Sequence, residues 1–77
     1  MSPYLLNEII MAVKRAKEKH PKFCDNLPQA VCLATEELGE LAKAVNDGTY
    51  AEIKREALDT IAVLVRIIEI WFLQRLA

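Results

Sequence analysis

The sequence predicts an all-α fold: a helical hairpin of two long helices plus an N-terminal helix, one domain over residues 1–77, assembling into an oligomeric helix bundle. Three observations predict it. Apolar residues recur at spacings of three and four, and no stretch alternates with the period of a strand. Helix start and stop signals divide the chain into three segments. Finally, 53% of the residues are hydrophobic, more than a lone domain can hide when it buries about 60% of its unfolded surface. A second copy of the chain is the expected cover.

The first helix opens at Ser2-Pro3, a capping hydroxyl followed by proline at the first helical position. Leu6, Ile9, Ile10, Val13 and Ala16 follow at helical spacing, and the helix is expected to run to about Lys19. Its end is basic, with Lys14, Arg15, Lys17, Lys19 and Lys22, as suits a helix C-terminus. Asn26 caps a second helix with Pro28 in its first turn, ending near Asn46 before Asp47-Gly48. Thr49-Tyr-Ala-Glu52 matches a capping box and starts a third helix at once. No glycine or proline interrupts it to Ala77, which gives a length of roughly 40 Å at 1.5 Å per residue. Its second half, Ile61 to Leu73, is apolar on nearly every side and must be surrounded, with Trp71 and Phe72 as expected core or interface anchors.

Composition excludes several classes. Ten Lys and Arg against eleven Asp and Glu leave a net charge of -1, which argues against nucleic-acid binding driven by phosphate neutralisation. Cys24 and Cys32 have no CxxC spacing and His20 is the one histidine, so no Cys/His metal cluster is expected. Residues 1–16 carry Glu8, Lys14 and Arg15, unlike a secretory signal. The apolar run Ile61 to Leu73 contains Arg66 and Glu69 and is too short for a membrane span. The expectation is a soluble, cytoplasmic protein with reduced thiols and no membrane partner.

The carboxylates hold the chemistry. On a wheel of 100° per residue, Leu27, Val31, Ala34, Leu38, Leu41 and Val45 form the expected core stripe of the second helix. Beside it Ala30, Leu33, Glu37, Glu40 and Ala44 form a second stripe, so Glu37 and Glu40 sit among apolar residues, with Glu36 nearer the polar side. In the third helix Ile53, Ala57, Ile61, Leu64 and Ile68 are the expected core stripe, and Glu56 and Asp59 share another face one turn apart. The short Asp47-Gly48 turn makes the two helices antiparallel and brings both acidic pairs to one level. Four carboxylates in a partly apolar groove repel, and an unpaired buried charge is costly. Ion pairs with Lys43, Lys54 or Arg55, protonation, or a divalent cation would relieve it, and an all-oxygen set suits a hard ion such as Mg²⁺ or Mn²⁺. The competing reading is a set of solvated glutamates on an exposed flank.

Glu36-Glu-Leu-Gly-Glu40 followed by Glu56-Ala-Leu-Asp59 resembles the EExxE...ExxD signature of the MazG-like all-α nucleoside triphosphate pyrophosphohydrolases, over roughly Leu27 to Ile70. The resemblance implies Mg²⁺ held by Glu37, Glu40, Glu56 and Asp59, with Glu36 holding or activating water, so that Glu36 and Glu37 are the catalytic candidates. It implies cleavage between the α- and β-phosphates of a nucleoside triphosphate or related nucleotide by a homodimer or homotetramer. Many members continue into a further helix whose Lys, Arg or Asn residues hold phosphates or base. Here the expected stand-ins are Lys14, Lys17 or Lys22, Arg66, or residues of a second subunit. A di-iron carboxylate bundle would require Glu-x-x-His twice, and neither acidic motif contains a histidine. The non-enzymatic rival is a helical oligomerisation module whose acidic groove binds nucleotide or a basic protein.

Overall fold

Each helix begins where a side chain replaces the missing carbonyl of a preceding turn. In the computed structural model, which describes residues 1–76, the elements are α1 (Pro3–Lys19), α2 (Leu27–Asp47) and α3 (Tyr50–Leu76), and the described residues contain no strand. The Ser2 hydroxyl accepts from the Leu5 N–H at 3.1 Å and the Asn26 side chain from the Gln29 N–H at 2.9 Å. Thr49 and Glu52 form the expected reciprocal box: the Glu52 N–H donates to Thr49 Oγ1 at 3.2 Å, and the Thr49 N–H to Glu52 Oε1 at 3.4 Å.

The turn between α2 and α3 requires glycine for a reason other than backbone handedness. Gly48 is extended, with φ -98° and ψ -178°, and its N–H donates to the Ala44 carbonyl at 2.8 Å. A Cβ at this position would lie 2.9 Å from that carbonyl oxygen and 3.3 Å from Glu52 Oε2. The close approach of α2's last turn to α3's cap is what excludes a side chain.

α3 is the central element. α1 and α2 each pack against it and not against one another. α2 folds back antiparallel through the short turn, whereas α1 runs in the direction of α3: Glu8 pairs with Lys54 at 2.8 Å near their starts, and Lys17 with Glu69 at 2.7 Å towards their ends. Between α1 and α2 this leaves a groove floored by α3.

Among the described residues the buried apolar side chains are small: Ala12, Ala30, Ala44 and Ala62, with Leu58 the one larger member. This corrects the expected core stripes in part: Leu27, Ala34 and Leu41 on α2 and Ile53, Ala57 and Ile61 on α3 are half-buried, and the remaining members are exposed. On α2, Val31, Leu38 and Val45 are 54%, 57% and 60% exposed, and the packed face is the neighbouring one that carries Ala30, Leu33, Glu37 and Ala44. On α3, Leu64 and Ile68 are exposed, while Leu58, Ala62 and Arg66 are buried four residues apart. Alanines let helix backbones approach closely, and a seam of small residues is also where a carboxylate can reach the facing helix; Val31, Leu38 and Val45 are turned outward. Trp71 and Phe72 are exposed as well, their rings edge to face at 5.0 Å, with the Arg75 guanidinium 5.0 Å from the Trp71 ring. Among the described residues no helix is long and apolar enough to cross a membrane.

Arg66 is the one buried charged residue among the described residues. Its guanidinium donates to the Ala16 carbonyl at 3.2 Å and the Pro21 carbonyl at 3.4 Å, and lies 4.7 Å from the centre of the Phe23 ring. It fastens the end of α1 and the linker to α3, so the desolvated charge meets two dipoles and an aromatic face.

Candidate functional site

Glu37 lies on the packed seam of α2 and Asp59 on α3, each as far along its helix from Gly48 as the other, with Glu56 one turn nearer the turn than Asp59. One carboxylate oxygen from each falls within 4.8 Å of the other two. Glu37 and Glu56 are half-buried. Burial pushes the Glu37 carboxyl above its ordinary value, and the negative charges of Asp59, Glu56, Glu40 and Glu36 push it further. The nearest cation is Arg55, whose Nη2 lies 3.6 Å from Glu56 Oε1, and it is solvent-exposed. Folding thus assembles three acidic oxygens that one loosely held guanidinium does not neutralise. The donor chemistry fits a hard divalent cation: oxygens only, close enough to converge on one centre, carried on two packed helices.

A cleft of about 490 Å³ opens beside this cluster, between α1, the α1–α2 linker, α2 and α3. Glu37 and Asp59 line it together with Arg55. Its opposite wall is basic, with Arg15 and Lys19 of α1 and Lys22 of the linker, and its floor includes Ala62, Val63 and Leu33. The volume and the mix of apolar floor and charged walls are those of a small-molecule site.

The sequence-expected residues distribute unevenly around it. Glu37, Glu56 and Asp59 come together. Glu40 is exposed and outside that group, though its charge still acts on Glu37; Glu36 is exposed too and acts on Glu37 in the same way. Lys14 is exposed and does not line the cleft. Lys17 is engaged with Glu69 and lines a smaller hollow of about 240 Å³ on the other side of Arg66. Arg66 lines the cleft, with its guanidinium turned to the Ala16 and Pro21 carbonyls rather than to Glu69. Arg15 and Lys19 line the cleft too, as members of the same basic run as Lys14, Lys17 and Lys22. The signal in the sequence is phase: Ala12, Arg15, Ala16 and Lys19 share the face of α1 that lines the cleft, and Lys14 and Lys17 lie off it.

The fold and the site together define an all-helical protein with an acidic cluster at the end of a cation-walled cleft. Comparisons with protein-family models, with curated proteins and with solved structures find no match to the chain.

Proposed function

We propose that the protein is a Mg²⁺-dependent nucleoside triphosphate pyrophosphohydrolase of the MazG-like kind, cleaving between the α- and β-phosphates. The observation that carries this reading is a cluster of three converging carboxylates, two of which, Glu37 and Asp59, line a cleft that Arg15, Lys19 and Lys22 also line. A polyphosphate needs both: cations along its tail and a metal at the reacting phosphorus.

Glu37, Glu56 and Asp59 are the residues to hold the metal, with Glu40 as the further carboxylate implied by the EExxE pattern. Bound Mg²⁺, or Mn²⁺ in its place, would supply charge neutralisation at the phosphate oxygens and acidify a water. The chain's own residues do the rest. α2 and α3 fix the three carboxylates relative to one another through their packed seam. Glu36, exposed and in no ion pair among the described residues, accepts the proton as water oxygen bonds to the α-phosphorus. The bond from that phosphorus to the bridging oxygen breaks, and pyrophosphate leaves with the oxygen.

The working unit in this reading is a cytoplasmic homo-oligomer. The chain exposes 5910 Å², where a compact monomer of 8.7 kDa exposes about 4,700 Å². The excess exceeds the roughly 800 Å² that each partner gives to a standard interface. Val31, Leu38 and Val45 on α2, with Leu64, Ile68 and Phe72 on α3, are apolar side chains left outside the single chain.

The test is pyrophosphate release from a panel of canonical and modified NTPs and dNTPs with Mg²⁺ or Mn²⁺, beside an Asp59→Asn variant. The expected result is metal-dependent turnover that drops at least about a hundredfold in the variant with its helicity intact. A folded wild-type chain that turns over nothing on the panel would sink the proposal.

A further inference from the structure

The linker between α1 and α2 forms part of the cleft, because Lys22, Phe23 and Cys24 all line it. Its hold on the rest of the molecule is slight. Among the described residues, one hydrogen bond joins residues 21–25 to a helix, the one that Arg66 donates to the Pro21 carbonyl, and no ion pair does. The second attachment is the half-buried Phe23 ring, whose centre lies 4.7 Å from the same guanidinium. Its other terminal nitrogen donates to the Ala16 carbonyl near the end of α1, so one side chain of α3 grips both the linker and the helix that leads into it. α1 and α2 do not pack on each other and so do not brace the linker. Arg66 is 7% exposed and takes part in no ion pair among the described residues, a costly arrangement for a side chain that only filled space. Glu69, three residues on, is held by Lys17 instead. A planar guanidinium reaches two carbonyls at once, which the single ammonium of a lysine does not reproduce.

We infer that Arg66 is a positioning residue: acting through the linker, it holds Phe23 and Cys24 in place as one wall of the cleft and so sets the cleft's width on that side. The acidic cluster does not depend on it, since the packed seam of α2 on α3 carries Glu37, Glu56 and Asp59. In the pyrophosphohydrolase reading, on which the kinetic part of this role rests, loss of Arg66 weakens substrate binding and spares the chemical step. A merely destabilised fold does the reverse, lowering the amount of active enzyme while KM stays the same. Direct contact between Arg66 and the ligand differs again, because its loss leaves the linker where it is.

Two thiols report on the linker. Cys24 is half-buried within it, and Cys32 is exposed on α2. The test is the rate at which iodoacetamide alkylates each thiol in the full chain, read by mass spectrometry, for the wild type, Arg66→Lys, Phe23→Leu and Ala44→Leu. Arg66→Lys keeps the charge, so the rate follows access rather than ionisation. Ala44→Leu overpacks the seam near Gly48, at the far end of α2 from the linker, and controls for lost stability. Expected is alkylation of Cys24 at least about fivefold faster in Arg66→Lys, with Cys24 in Ala44→Leu and Cys32 throughout within about 1.5-fold of the wild type. Phe23→Leu removes the aromatic attachment alone and should speed Cys24 at least about twofold; it decides the matter if circular dichroism shows that Arg66→Lys has lost its helices. An unchanged Cys24 rate, or equal acceleration in Ala44→Leu, would overturn the positioning role. On a nucleotide that the wild type turns over, Arg66→Lys should raise KM at least about fivefold with kcat within about threefold, and a fall in kcat at unchanged KM would count against it. A wild type that turns over nothing sinks the enzyme reading alone, because the alkylation rates still decide whether Arg66 holds the linker.

Discussion

The two faces of α2 are made differently and do different work. The face turned to α3 carries Ala30, Leu33, Glu37 and Ala44; the face turned away carries Val31, Leu38 and Val45. By hydrophobicity alone the second face is the better core, yet it is the one exposed. The packed seam joins small residues to a carboxylate, which brings the backbones close and sets Glu37 opposite Glu56 and Asp59. The open face has bulk and no cover within the chain. One helix thus holds the acidic cluster on one side and, in the proposed oligomer, the surface that a second copy would cover on the other.

Charging the open face should produce the largest effect. Leu38→Glu with Val45→Glu is expected to leave the three-helix unit helical and to abolish self-association, because each charge would have to be buried unpaired in the interface. Sedimentation equilibrium at micromolar concentration checks it; an oligomer that survives both substitutions would place the interface elsewhere.

Filling the packed seam tests the other half of the contrast. Ala30 is fully buried, so Ala30→Leu should destabilise by about 1–3 kcal/mol through overpacking, read as a lower urea midpoint. Val31→Leu, one residue away on the open face, should change the stability of the isolated chain by less than about 0.5 kcal/mol. At the turn, Gly48→Ala should cost about 1 kcal/mol, because its Cβ meets the Ala44 carbonyl. A neutral Gly48→Ala would mean that the close approach relaxes freely.

Local signals made most of the fold legible in the sequence. Ser2-Pro3, Asn26 with Pro28, and the Thr49 to Glu52 box each mark a helix start, and the structure begins its helices there. Caps depend on neighbours in the chain, and so does the pairing of Glu56 with Asp59. The choice of seam does not. Wheel periodicity identified both stripes of α2 and favoured the bulkier, because a wheel measures hydrophobicity and says nothing of how closely two backbones approach. The cations behaved likewise: Lys14 and Lys17 belong to a basic run, and only the docking of α1 on α3 separates Arg15 and Lys19, which line the cleft, from Lys17, which is tied to Glu69. Arg66, expected as a ligand contact or as a partner of Glu69, lines the cleft and donates to two carbonyls that no sequence pattern brings near it.

The finest form of the contrast lies between two carboxylates whose pH dependences have opposite signs. The hydrogen bond from Lys54, helped by its charge, holds Glu8 below the ordinary carboxylate value. Its contribution is present above the unfolded-chain value and is lost as pH falls through the folded one. Glu37 is raised by burial and by its acidic neighbours. As pH rises, the unfolded chain releases this proton first and the folded chain later, so between the two values the folded state binds more protons and stability falls with increasing pH. Above that window the full cost remains. Glu37→Gln removes it, so in chelator the variant should have a higher urea midpoint than the wild type at neutral pH and converge on it in acid, below the window. Mg²⁺ added to the wild type should raise the neutral midpoint by offsetting the same repulsion, and should do nothing for Asp59→Asn combined with Glu56→Gln. If Glu37→Gln tracks the wild type at every pH, the three carboxylates are solvated rather than strained, and the site loses its need for a cation.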